Sequence, residues 1–192
     1  MSITESTVRS PVLVVGGTGM LAGVVSALVQ EGLTTVVVSR RPPGPAAFGK
    51  HCLAHELLVP VSADYTEPIR FAAALRDAAA RTGPFRQAIL WIHAGGRPHA
   101  YAAVADTLTD DALVVDVLGS RAAAPTGPPP RPPTGLSRTR HRSVILGFTG
   151  HGSDTRWLNH EEISEGVLAA LRSSQDGGLH VVGRVRPWED RP

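Results

Sequence analysis

Val12-Leu-Val-Val-Gly-Gly-Thr-Gly-Met-Leu-Ala22 is the stretch on which the reading of this 192-residue chain turns. Its first four residues are apolar, enough for a short strand buried on both faces. Gly16-Gly-Thr-Gly19 ends that run, and a helical pattern follows with Leu21, Val24, Val25, Leu28 and Val29 on one face. Gly32 stands where a left-handed helix cap is expected. Thr34 to Val38 is rich in β-branched residues and reads as the next strand. Strand, glycine turn, helix and strand in about thirty residues make a βαβ unit. Within it, Gly17-Thr-Gly19-Met-Leu-Ala22 fits G-x-G-x-x-G/A. Gly17 is expected to make the tight turn and Gly19 to let a pyrophosphate approach the backbone. Ala22 is expected to allow close helix–strand contact, while the helix N-terminus offers N–H donors to the anion. Gly16, Gly17, Thr18, Gly19, Met20 and Leu21 are therefore the candidate phosphate cradle; a glycine turn that only packs the first helix is the alternative.

The alternation continues outward from this unit. Leu57 to Val61 is the expected third strand, ending near Asp64. A helix follows, capped by Thr66, with Pro68 in its first turn and Gly83-Pro84 closing it. Gln87 to His93 is the fourth strand, followed by a short helix around Tyr101, Val104, Ala105 and Leu108. Ala112 to Leu118 and Ser143 to Phe148 are the fifth and sixth strands. Asn159 to Leu171 reads as a helix with Asn159 and Glu162 placed as a capping box. His180 to Val185 is the last strand. Such alternation implies an α/β fold with a mainly parallel, doubly wound sheet and helices on both faces. The exception is 119–141, with six of the 16 prolines and no helical period. It reads as an extended loop, as a linker replacing a helix or as a proline-rich partner motif.

Composition narrows the classes. From Val117 to Ser153 there is no Asp or Glu, yet Arg121, Arg131, Arg138, Arg140 and Arg142 lie there. The high isoelectric point is therefore local, and no nucleic-acid partner is expected. The arginines at 138–142 read as a solvated loop, or as contacts for a phosphate-bearing partner. Trp91, Trp157 and Trp188 read as core or pocket wall. One cysteine, Cys52, excludes an internal disulfide and fits a reducing cytoplasm; with His51 and His55 it makes too small a set for a metal site, so no metal is expected. Pro11 to Val29 are 19 consecutive uncharged residues, but the glycines inside break a membrane helix. Lysine occurs once, at Lys50.

The cofactor is read from the end of the second strand. Where a dinucleotide site for NAD usually carries an acid, this chain has Ser39-Arg40-Arg41. A hydroxyl and two guanidiniums suit a 2′-phosphate, so NADP(H) is expected over NAD(H). Two solvated loop arginines are the other reading.

Further motifs are Asp64-Tyr65, Trp91-Ile-His-Ala94, Leu118-Gly-Ser120, Val144-Ile-Leu-Gly-Phe148, Arg156-Trp-Leu-Asn-His-Glu-Glu-Ile163 and Pro187-Trp-Glu189. With Gly16 to Leu21 they span nearly the whole chain. In them the chain resembles the short-chain dehydrogenases/reductases, and a compact bacterial branch of them most closely. The resemblance implies one Rossmann-like domain over 1–192 with a sheet of about seven strands. It also implies Asp64 and Tyr65 near the adenine, and His93, Ala94 and Gly95 along the ribose and nicotinamide.

The chain departs from that superfamily at the catalytic pair, a tyrosine with a lysine four residues later. Tyr65 is followed at that spacing by Ile69, Tyr101 by Ala105, and Lys50 lies too early in the chain. Ser120 matches the superfamily's serine only by position. His93 reads either as a replacement proton donor or as a residue bonded to backbone or cofactor ribose. Ser120 reads as a group orienting the substrate oxygen or as a turn residue. His160, Glu161 and Glu162, with His151 nearby, suggest acid–base chemistry, but their spacing suits a helix start. The expected protein is a cytoplasmic NADP(H)-dependent reductase of a small carbonyl or imine, working without the tyrosine–lysine relay. A non-redox NADP(H)-binding protein is the alternative: a sensor, a partner subunit, or a lyase or cyclase reusing the pocket. A homo-oligomer is left open.

Overall fold

The computed structural model describes residues 10–41, 55–127, 135–136, 138–174 and 178–192. Lys50, His51 and Cys52 and the prolines at 128–133 lie outside the described residues. The strands are β1 (Val12–Val15), β2 (Thr35–Ser39), β3 (Leu58–Ser62), β4 (Phe85–Trp91), β5 (Leu108–Gly119), β6 (Arg140–Leu146), β7 (Phe148–Thr149), β8 (Arg156–Trp157) and β9 (Leu179–Val182). The helices are α1 (Ala22–Gln30), α2 (Pro68–Thr82), α3 (Arg97–Ala105) and α4 (His160–Arg172).

Seven strands form one sheet in the order β3-β2-β1-β4-β5-β6-β9, and every pairing within it is parallel. β1 is central: Val15 sits opposite Val38 on one side and Leu90 on the other. Its four residues are all buried, as an apolar run covered on both faces requires. One face carries Val12, Val14, Val37, Ile89, Val115 and Val144 under α1 and α4. The other carries Leu13, Val15, Val36, Leu90 and Val114 under α2 and α3. The strand order reverses direction between β1 and β4, and ligands bind such sheets outside the carboxyl ends at that reversal.

Several expectations are corrected. Thr66 does not cap α2: its N–H and hydroxyl both bond Asp64 Oδ1, at 2.9 and 2.8 Å, in a local turn, and Glu67 takes the cap position without a side-chain bond. β4 ends at Trp91, so His93 lies beyond the strand. Leu108 belongs to β5, which starts four residues earlier than the apolar run suggested and carries a register shift opposite Phe85 and Gln87. Gly147 separates β6 from Phe148, because a Cβ there would stand 2.2 Å from the Arg184 carbonyl oxygen. Phe148 and Thr149 instead pair antiparallel with β8. The stretch 119–141 is not uniformly a loop. Gly119 ends β5, Ser120–Ala123 is a 3-10 turn, Leu136 is buried under α2 and α3, and Arg140 and His141 begin β6. Arg142 is not solvated: its Nη1 donates to the Ala170 and Leu171 carbonyls at 2.6 and 3.1 Å, and Nη2 to that of Ser173 at 2.8 Å. A cation at a helix C-terminus satisfies orphan carbonyls and opposes the dipole's negative end.

Candidate nucleotide-binding site

The turn between β1 and α1 is built by two different glycine requirements. Gly16 has φ +83°, so it is the residue that turns the chain. A Cβ on Gly17 would lie 2.9 Å from Val37 Cγ1 and 3.1 Å from both Val14 and Val25, so Gly17 lets α1 close onto β1 and β2. The left-handed turn expected at Gly17 is therefore made by Gly16, while Gly17 joins Ala22 in packing α1 against the sheet. Gly19 has nothing within 4 Å of where a Cβ would be, which leaves its backbone accessible from outside. α1 starts with no side-chain cap at Leu21 and no acid in its first turn. Its leading N–H groups are thus free of a competing side-chain acceptor, and the dipole favours an anion there. These features fit a phosphate group.

Beyond the turn, a cleft of about 590 Å³ opens at the carboxyl ends of β1, β2 and β4. Gly16, Thr18, Ser39, Arg40, Arg41, Tyr65, Trp91 and His93 are among the residues that line it. Among the described residues neither Arg40 nor Arg41 has a carboxylate within ion-pair distance. Asp64 sits beside the cleft, and Thr66's backbone and hydroxyl bonds, with Arg40 nearby, hold its carboxyl below the usual range. Tyr65 packs against Gly96, where a Cβ would stand 2.4 Å from its Cδ2. Ala94 and Gly95 form the 3-10 turn that follows β4. The structure thus brings together the turn, the Ser39–Arg41 corner, Tyr65 and His93.

Ser120 is not among the residues lining that cleft. It starts the 3-10 turn after β5, on the far side of Trp91, whose Cη2 lies 3.9 Å from a Cβ built on Gly119. His93 is exposed and meets Trp91 edge-on with ring centroids 5.3 Å apart. Its ring makes no hydrogen bond to the described residues.

Of the two tyrosines, Tyr65 lines the cleft and Tyr101 does not. Tyr101 is buried and donates to Asp116 Oδ1 at 2.6 Å. Burial, reinforced by the Asp116 charge, pushes its hydroxyl far above the ordinary range. Burial also raises Asp116, while the Tyr101 bond and Arg97, whose Nη1 is 3.6 Å away, pull it back. Arg97 Nε donates to the Ile92 carbonyl at 2.9 Å, so this cluster fixes the segment leading to His93.

Glu162 is structural. Its backbone N–H donates to Asn159 Oδ1 and its Oε2 accepts from the Asn159 N–H, each at 2.8 Å, as the capping box required. Arg156 also donates to both of its carboxylate oxygens at 2.9 Å. Trp157 is exposed rather than core. Ser164 was not singled out by sequence: its Oγ donates to the Met20 carbonyl at 3.0 Å and fixes the glycine turn to α4. The signal available was Gly23, a glycine inside a helix, where a Cβ would stand 2.7 Å from Ser164 Oγ.

No family model and no curated protein sequence matches the chain. Solved structures do. A SCOR enzyme from Clostridium thermocellum superposes with a TM-score of 0.67 at 12% identity, covering 91% of each chain. A short-chain dehydrogenase/reductase from Serratia marcescens gives 0.62 at 14%, covering 91% of this chain and 97% of that one. The aldohexose dehydrogenase of Thermoplasma acidophilum gives 0.62 at 13%, covering 93% and 94%. The fold is that of the short-chain dehydrogenases/reductases. Within this fold, the crossover from β5 to β6 carries a 3-10 turn and the buried Leu136 among its described residues. Among the described helices none is long and apolar enough to cross a membrane.

Proposed function

We propose that the protein is an NADP(H)-dependent reductase of a small carbonyl or imine. The observation that carries this is the cleft itself, whose lining includes Gly16 and Thr18 of the glycine turn together with Ser39, Arg40 and Arg41. Arg40 and Arg41 would offer a 2′-phosphate forked, charge-assisted donors. The nucleotide, when bound, supplies the hydride. The chain supplies binding through the turn and the α1 N-terminus, and orientation through Tyr65 and the segment fixed by Arg97. His93, which lines the cleft and whose ring has no hydrogen bond to the described residues, is the proton donor for a carbonyl substrate. An iminium needs no proton in the same step, so an imine suits a chain without the tyrosine–lysine pair.

The engagement of Tyr101 with Asp116 supports the second reading, a non-redox NADP(H)-binding protein. One experiment orders the two. NADPH at a hundred times its dissociation constant adds about 2.7 kcal/mol to stability and raises the melting temperature. If it binds, NADPH oxidation is followed against aldehydes, ketones and cyclic imines. Turnover establishes the reductase, binding without turnover selects the non-redox protein, and no thermal shift overturns both.

A further inference from the structure

Trp91 occupies an unusual place in the cleft. It is the last residue of β4, at the strand-order reversal, and one side of its indole packs on the core under α1 and α4 while it also lines the cleft. The strand ends on both sides of it are glycines. A Cβ on Gly16 would stand 3.1 Å from Trp91 Cβ and 3.2 Å from its Cδ1, and one on Gly119 would stand 3.9 Å from its Cη2. The indole therefore spans the top of the sheet from β1 to β5. His93 braces it edge-on at an interplanar angle of 71°. Any molecule that reaches from the glycine turn to Ser120 crosses this ring.

We infer that the Trp91 indole is a stacking platform for the nicotinamide half of the cofactor and selects its cationic, oxidised form over its neutral, reduced form. The inference rests on the NADP(H) reading above. An indole face is the most electron-rich of the protein aromatics and attracts a cation placed over it, whereas a neutral ring gains only stacking. A platform of this kind favours NADP+ over NADPH by about three- to tenfold. A tenfold preference lowers the potential of the bound couple by about 30 mV, making the bound reduced form a stronger hydride donor.

The test compares the wild type with Trp91→Leu and Trp91→Phe, each titrated with 2′,5′-ADP, NADP+ and NADPH by calorimetry. 2′,5′-ADP carries no nicotinamide, so it is expected to bind all three proteins equally. NADP+ affinity is expected to fall about three- to tenfold in Trp91→Leu, NADPH affinity by less, and Trp91→Phe to recover part of the loss. Tryptophan emission is expected to be quenched by NADP+ in the wild type and not in Trp91→Phe, where Trp157 and Trp188 remain. This second measurement stands even if Trp91→Leu fails to fold. Equal loss of NADP+ and NADPH, no loss of either, or tighter binding of NADP+ by Trp91→Leu overturns the platform. No binding of 2′,5′-ADP to the wild type overturns the nucleotide reading itself.

Discussion

At the residue scale, Arg40 and Gly17 carry opposite kinds of information. Arg40 lies exposed on the cleft wall, and the role proposed for it is in binding a ligand. Arg40→Ala is expected to weaken NADPH about tenfold or more and leave NADH within about twofold, since a charge-assisted bond is worth about 1.5–3 kcal/mol. Equal losses for the two nucleotides in the same titration would remove the 2′-phosphate assignment. Gly17 is the reverse case. Its missing Cβ is filled by Val37, Val14 and Val25, so Gly17→Ala is expected to destabilise the fold by about 1–3 kcal/mol in urea denaturation. That Arg40 lines the cleft was legible in the sequence because it directly follows the end of β2. Trp91 was legible only as core or wall, because its role depends on glycines from two other strands.

At the element scale, α4 is held at both ends by residues the sequence treats very differently. Asn159 and Glu162 follow a local pattern, and the box they make is found. Asn159→Ala is expected to cost about 1 kcal/mol by thermal or chemical denaturation. The other end is closed by Arg142, 28 residues before the first carbonyl it bonds. Its neighbours Arg138 and Arg140 are exposed, so a run of alternating arginines in a proline-rich setting gives no local sign that one of them is buried. Arg142→Leu keeps apolar bulk but strands the α4 carbonyls, and is expected to cost about 1.5–3 kcal/mol. A loss under about 0.5 kcal/mol in urea denaturation would show that those carbonyls find other donors.

At the scale of the whole molecule, acid stability depends on how these supports titrate. The Arg156 bonds and the Asn159 N–H hold the Glu162 carboxyl at about 2, below its ordinary 4.5. A carboxyl lowered in the folded state contributes stability that is complete above 4.5 and is lost as pH falls towards about 2. Asp116 acts in the opposite sense: burial raises it, so its cost to folding is relieved on acidification. Glu162→Gln is therefore expected to flatten the decline of stability between pH 4.5 and about 2, measured by urea denaturation across that range. An unchanged slope would assign the acid limb to other groups.

What the sequence alone determined was the alternation of strands and helices, the glycine turn, the arginine corner and the α4 cap. Each depends on residues within a few positions of one another, where periodicity, backbone freedom and capping chemistry act. Only the tertiary structure decided that Gly16 turns and Gly17 packs, that Ser164 fixes the Met20 carbonyl, that Arg142 closes α4, and that Trp91 bridges β1 to β5. Those facts join segments separated by up to 144 residues, as Met20 and Ser164 are. Local chemistry carries no record of such distances, because close packing in a parallel sheet is set by neighbours that arrive from elsewhere in the chain.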